Sequence, residues 1–200
     1  LRLALKPQLL LGCTGESIIG RTQEIENKPA IALVAAHLPD VTLTPFALFK
    51  EWAHLEDHPQ ALRQAVGAPV DSKLIIMLAD PFSTNVNKAF TIFQQAYGEL
   101  PIVGGIASGS RQANGNSLFL NEHIYHSGAV AVALSGSFDV DIIVSQGCRP
   151  IGDTFTVTQA ERNMIYTLDG EPALLQLQSL FRDLAYEDRM LIQQTGLLIG

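Results

Sequence analysis

An α+β fold, built of mixed and largely antiparallel sheets covered by a few helices, is the class this chain predicts. Three observations predict it. Short apolar runs broken by Gly and Pro outnumber helical patterns. From residue 117 onward the runs follow one another through links shorter than the dozen or so residues a parallel crossover needs. Finally, 47% hydrophobic against 16% charged residues in 200 suits a chain with a large core, about one domain or slightly more in size.

Taken in order, residues 9–13 and 30–37 read as buried strands between turn formers. Residues 41–46 alternate apolar side chains with Thr, which suits a strand with one wetter face. The run Leu74-Ile75-Ile76-Met77-Leu78 makes 73–79 the best candidate for a central strand. Residues 117–120, 124–134 and 138–146 complete the series as an antiparallel meander. In the last of them Phe138, Val140, Ile142 and Val144 share a face, and Asp139 and Asp141 the other.

Three helices are predicted. Val86, Ala89, Phe90, Phe93 and Tyr97 fall on one helical face, after Ser83, Thr84 and Asn85 as N-cap candidates and before Gly98 as a stop. That helix is expected to cover the sheet through Phe90, Phe93 and Tyr97. A short helix over 59–66 has Pro59 in its first turn and Gly67 after its end. A third, over 171–185, carries Leu174, Leu177, Phe181 and Leu184 on one stripe. The best internal boundary is Gly147-Cys148-Arg149-Pro150-Ile151-Gly152, followed by a new strand from Thr154. The ends look cut: strand 9–13 is expected to draw its partner from residues before Leu1, and Leu197-Leu198-Ile199 to lean on something further.

Composition removes several function classes. A net charge of −7 without any basic run repels a phosphate backbone, so nucleic acid is a poor partner. The longest apolar run, about seven residues against the roughly 20 a span needs, argues against membrane insertion. Cys13 and Cys148 form no disulfide framework and read as reduced thiols of a cytoplasmic protein. Neither has a His close in sequence, so a small buried hydrophobe is the plainer reading of each than a nucleophile. The five histidines offer no third metal ligand, and Pro59 interrupts any helix through His54 and His58. No cofactor or metal is expected, and no catalytic constellation is visible.

Four glycine-bearing loops at strand ends carry the remaining signal: Gly12-Cys13-Thr14-Gly15-Glu16, Gly104 through Gly109, Ser135-Gly136-Ser137 and Ser145 through Arg149. None is a P-loop, since no Gly-Lys-Ser/Thr follows. Gly104-Gly105 is not a dinucleotide loop either, because Arg111 to Asn116 is turn chemistry where a helix should begin.

Gly12-Cys13-Thr14-Gly15-Glu16, Asp80-Pro81 after the central strand, and Gly104-Gly105 with Ala107-Ser108 occur in an order that resembles the FIST family, named for F-box and intracellular signal transduction proteins. The stretch Val144 to Gly152, then Phe155-Thr156-Val157-Thr158 and Asp169-Gly170, resembles the junction between its two domains. The resemblance implies residues 1–150 as a FIST N-terminal-like domain lacking its first elements, and 151–200 as the start of a FIST C-terminal-like domain. It implies a sensory module of a signal-transduction protein that binds a small molecule such as an amino acid, with an output domain or protein partner.

The ligand-binding residues expected on this reading are Thr14, Gly15, Glu16, Asp80, Gly105, Ala107, Ser108, Gly147 and Arg149. Arg149 can grip a carboxylate with two hydrogen bonds, and Glu16 can receive an ammonium. A structural reading stays open for each: Arg149 tying carbonyls or Glu16, Asp80-Pro81 merely starting a turn. The loops at 12–16, 104–109 and 145–149 are expected to converge on one cleft, as open sheets gather ligand groups at one rim. Two other classes are held against the sensor: a cysteine-dependent hydrolase or acyl transferase, and a protein-interaction adaptor with an exposed apolar patch.

Overall fold

The computed structural model describes residues 2–20, 23–26, 28–49, 55, 58–144, 150–161 and 164–195. The chain forms two compact units, Leu1–Asp141 and Ile142–Gly200. In chain order the first unit contains α1 (Arg2–Leu5), β1 (Leu11–Cys13), β2 (Ser17–Ile19), β3 (Glu24–Glu26) and β4 (Val41–Leu48). Then come α2 (Pro59–Val66), β5 (Leu74–Ala79), α3 (Val86–Tyr97), β6 (Ile102–Ile106), β7 (Leu118–Leu120), β8 (His123–Tyr125) and β9 (Ala129–Gly136). The second unit contains β10 (Val157–Glu161), β11 (Met164–Leu168), β12 (Glu171–Pro172), α4 (Ala173–Asp183) and α5 (Tyr186–Thr195).

Sequence chemistry explains the helices of the first unit. Asn85 caps α3, its Oδ1 accepting from the Lys88 N–H at 3.0 Å, and Gly98, at φ 71°, ends it with an N–H donated to the Gln94 carbonyl. Pro59 opens α2 and Gly67 closes it in the left-handed conformation. The Arg63 guanidinium of α2 donates to the Ala96 carbonyl and lies over the Tyr97 ring, pinning the two helices together.

The main sheet runs in the order β4-β9-β5-β6. β5 and β6 are parallel because α3 supplies the crossover between them, and β9 lies antiparallel to both β4 and β5. Pro45 is tolerated in β4 because that strand is the sheet's edge.

Alternation then divides the core. Ile75, Met77 and Ala79 of β5, with Ala129, Ala131 and Ala133 of β9, meet Phe46, Leu62, Val66, Ile92 and Phe93 on the helix side. Leu78 and Val130 face the other way, against Ala107, Leu118 and Leu120. There β1, β7 and β8 form a small antiparallel sheet. Covered on both faces, β9 is buried nearly throughout, as its unbroken apolar run requires. In the second unit β10, β11 and β12 form an antiparallel sheet followed by two helices, with Leu168 and Leu184 buried.

Several expectations are corrected. Residues 30–37 form no strand, and 31–37 are exposed, Val34 at 97%; apolar composition is necessary for a buried strand, but a neighbouring strand must be there to pair with it. Residues 138–144 are not a strand either, and Ile142, Ile143 and Val144 are exposed; residues 145 and 146 lie outside the described residues.

The expected strand 124–134 is two, β8 and β9, separated at His126-Ser127-Gly128, where Gly128 takes φ 81°. The two belong to different sheets, so the meander does not exist beyond β7–β8. β1 finds a partner in β7, inside this chain. On α3 the buried side chains are Ile92, Phe93 and Ala96, whereas Phe90 is 42% exposed. Gly104 and Gly105 lie within β6 instead of a loop, and Pro172 precedes α4 where the first turn was expected.

Candidate functional site

β5 and β6 end side by side at Ala79 and Ile106, so the residues that follow, Asp80 and Ala107, sit together at the carboxyl rim of the sheet. The Ala107 N–H donates to the Ala79 carbonyl at 2.8 Å, and the Asp80 N–H to the Gly128 carbonyl at 2.9 Å. Ala107 is buried in the core beneath the rim.

Asp80 is wholly buried, and its carboxylate is fully engaged. Oδ1 accepts from Asn116 Nδ2 at 3.0 Å and Oδ2 from Ser83 Oγ at 2.6 Å. Ser83 Oγ in turn accepts from the Gly128 N–H at 2.7 Å, so its own proton must point to Asp80. Asn116, also fully buried, accepts from the Ser110 N–H through Oδ1 at 2.9 Å, and its carbonyl lies 2.9 Å from His126 Nδ1. The network thus ties the turn after β5, the loop after β6 and the entry to β9 to one carboxylate. A buried charge is stable only when so satisfied. Asp80 stands here as a tie that holds the rim.

Above it, two of the glycine loops meet. The Thr14 N–H donates to the Ser117 carbonyl at 2.9 Å, and the Ser117 N–H returns to Thr14 Oγ1 at 3.0 Å. The Ser108 N–H donates to the Thr14 carbonyl at 3.1 Å, and the Glu16 N–H to Ser108 Oγ at 3.1 Å. Packing is close: a Cβ built on Gly109 would stand 2.6 Å from that of Thr14, and one on Gly15 would stand 3.0 Å from the Ser17 carbonyl oxygen. Gly105, by contrast, is exposed, with open space where a Cβ would be. Glu16 pairs with Arg111 at 2.9 Å, both side chains largely in solvent (65% and 89%), where such a pair is worth little and opens readily.

Thr14, Gly15, Glu16, Asp80, Ala107 and Ser108 are therefore gathered in one region, with Gly105 just before it on β6. Gly147 and Arg149, and with them the third loop, lie outside the described residues, as do Cys148, His54 and Trp52. Sequence reasoning missed Asn116, Ser83, His126 and Arg111. Ser83 was visible only as an N-cap candidate and Asn116 only as a turn residue, because a hydrogen bond between positions 80 and 116 leaves no local mark. Cys13 is half-buried, and burial pushes its thiol above the ordinary value. A nucleophilic thiol requires the opposite shift.

The architecture is that of an α+β domain whose sheet rim is held by a buried carboxylate and overlaid by small-residue loops. The FIST N domain family model matches residues 1–171, and the chain belongs to the FIST family, a family of sensory domains in signal transduction. It is 32% identical to uncharacterized protein Rv0628c of Mycobacterium tuberculosis, over 98% of this chain and 50% of that protein. It is 31% identical to uncharacterized protein Mb0898c of Mycobacterium bovis, over 97% of this chain and 48% of that protein. The chain thus spans about half the length of these curated relatives. No solved structure matches it. Among the described residues no helix is long and apolar enough to cross a membrane.

Proposed function

We propose that this chain is the small-ligand-sensing module of a cytoplasmic signal-transduction protein, and that it binds an amino acid at the loop cluster above Asp80. One observation carries the reading: Thr14–Glu16 and Ser108, some 92 residues apart, are joined by hydrogen bonds at a sheet rim, with an open ion pair at its edge. Small residues leave the backbone of Gly15 and Gly105 accessible to a ligand. A zwitterion inserts into the Glu16–Arg111 pair, its ammonium on Glu16 and its carboxylate on Arg111, so that neither ligand charge is left unpartnered. Gly147 and Arg149 also count among the ligand-binding residues on this reading, Arg149 because a guanidinium can grip a carboxylate with two hydrogen bonds. An output domain or a protein partner then reads the occupied state.

Thermal shift of the full-length protein against the proteinogenic amino acids tests this, since a ligand that binds only the folded state raises its stability. The expected result is a shift for one chemical subset of amino acids, lost in Arg149→Ala and in Glu16→Gln with the unliganded melting temperature unchanged. Absence of any shift, or a shift that survives both substitutions, overturns the reading.

A protein-interaction adaptor is a second reading favoured by one observation, the exposed apolar stretch that includes Ile31, Leu33, Val34 and Leu38. Such a segment is suited to pairing with a partner's strand. Amide exchange on the full-length protein decides: strong protection of residues 30–38 without any partner removes the adaptor reading.

A further inference from the structure

The main sheet has two edges, and their chemistry differs. β4 carries Pro45, which has no N–H to offer a further strand. β6, Ile102-Val103-Gly104-Gly105-Ile106, carries neither Pro nor charge, and its pairing with β5 runs without a register shift. Among the described residues no strand pairs its outer side, and Gly104, Gly105 and Ile106 are exposed. Such an edge is a template for an added strand.

Beside this edge α3 leaves an open hollow of about 350 Å³, lined by Phe90, Gln94, Gly98, Glu99, Leu100 and Ile102. Ile102, Gly104 and Ile106 pair with Ile75, Met77 and Ala79, so they belong to the face that α3 covers. Gly104 leaves a bare place in that face and must do so, since a Cβ there would collide with the Met77 carbonyl. A strand laid on β6 thus finds backbone groups to bond and a hollow for every second side chain.

The same chain carries a segment of that description. Ile31-Ala32-Leu33-Val34-Ala35 is apolar, exposed and in no strand. Laid parallel with Ile31 beside Ile102, it sets Leu33 over Gly104 and turns Ile31 and Leu33 toward the α3 hollow. Lys28 then falls opposite Glu99, and both are exposed. Laid antiparallel about the same centre, it sets Leu38 against Glu99 instead. Charge therefore selects the parallel register.

Its own molecule cannot supply this strand. Val41 begins β4 at the far edge of the sheet and at the opposite end from Ile106, about 30 Å from where Ala35 would lie. The link from Ala35 to Val41 reaches at most about 21 Å. We propose that residues 31–35 of a second copy add as a parallel strand to the β6 edge, with Ile31 and Leu33 seated against Phe90 of α3. Reciprocal exchange closes the assembly as a two-fold dimer. The proposal does not rest on the amino-acid reading, although Gly105 is common to both. It competes with the adaptor reading, in which a different protein takes the same segment.

Sedimentation and amide exchange on the full-length protein alone test it, from about micromolar to about millimolar concentration. A dimer is expected to form as concentration rises, with residues 31–35 and 102–106 gaining protection together. Leu33→Asp carries a carboxylate into the α3 hollow; it should weaken the dimer at least about tenfold and leave the melting temperature of the dilute protein unchanged. Lys28→Glu and Glu99→Lys should each weaken the dimer about threefold, and the double exchange should restore it. Net negative charge acting only at long range would instead make Glu99→Lys strengthen association. A monomer throughout, protection that does not change with concentration, a dimer indifferent to Leu33→Asp, or charge reversals that fail to compensate overturns the proposal.

Discussion

Asn116→Ala is the perturbation that best probes the rim. Both Asn116 and Asp80 are fully buried, and the substitution removes the Asn116 bond to Asp80 Oδ1 together with the acceptor of the Ser110 N–H. Loss of a hydrogen bond to a charged group costs about 1.5–3 kcal/mol, and an orphaned backbone N–H adds about 1 kcal/mol. The expected destabilisation is therefore about 3 kcal/mol. Over the 141 residues of the first unit, an unfolding entropy of about 2.1 cal/mol/K per residue makes that a fall of about 10 °C in melting temperature.

Two assays read it: thermal unfolding by near-UV circular dichroism, and amide exchange at Ser110, which should accelerate because its acceptor is gone. Adding Asp80→Asn should restore part of the loss, since a neutral amide costs less to leave half-satisfied than a carboxylate. A shift under about 3 °C, with Ser110 protection intact, would refute the view that this carboxylate holds the rim.

Two further outcomes follow from the same geometry. Gly109→Ala places a Cβ 2.6 Å from the Thr14 Cβ; it should cost about 1–3 kcal/mol by forcing the two loops apart and abolish amino-acid-induced thermal shift, and unchanged stability would show that the loops are not pressed together. Because burial raises the Cys13 thiol, the folded state holds that proton longer than the unfolded chain. Its stabilising contribution is complete below the ordinary thiol value and is lost as pH rises past it. Cys13→Ala should flatten the alkaline fall of the melting temperature, and thiol labelling of Cys13 at neutral pH should be slow; fast labelling contradicts the assignment.

How much was legible differs from element to element. α2 and α3 were readable to the residue because their stop signals are local: Gly67 and Gly98 end them at positive φ. β5 was readable as central because five consecutive apolar residues need cover on two faces. β8 and β9 were fused in the reading because apolar residues flank His126-Ser127-Gly128 on both sides, although Ser127-Gly128 is itself a turn signal that could have separated them. The predicted strand 30–37 failed for a different reason: its composition is right, but pairing depends on a neighbour that local pattern cannot supply.

By itself, then, the sequence determined the α+β class, the family, the limits of α2 and α3, and the places where small residues let backbone approach backbone. These follow from propensity, periodicity and glycine sterics, which act over a few residues. Tertiary structure alone decided that Asp80 meets Asn116 and that Glu16 pairs with Arg111 and not with a residue nearer in sequence. Each depends on bringing together segments tens of residues apart; for Asp80 and Asn116 the energy that selects the partner comes from burial, which exists only once the sheet and its two covering layers have closed.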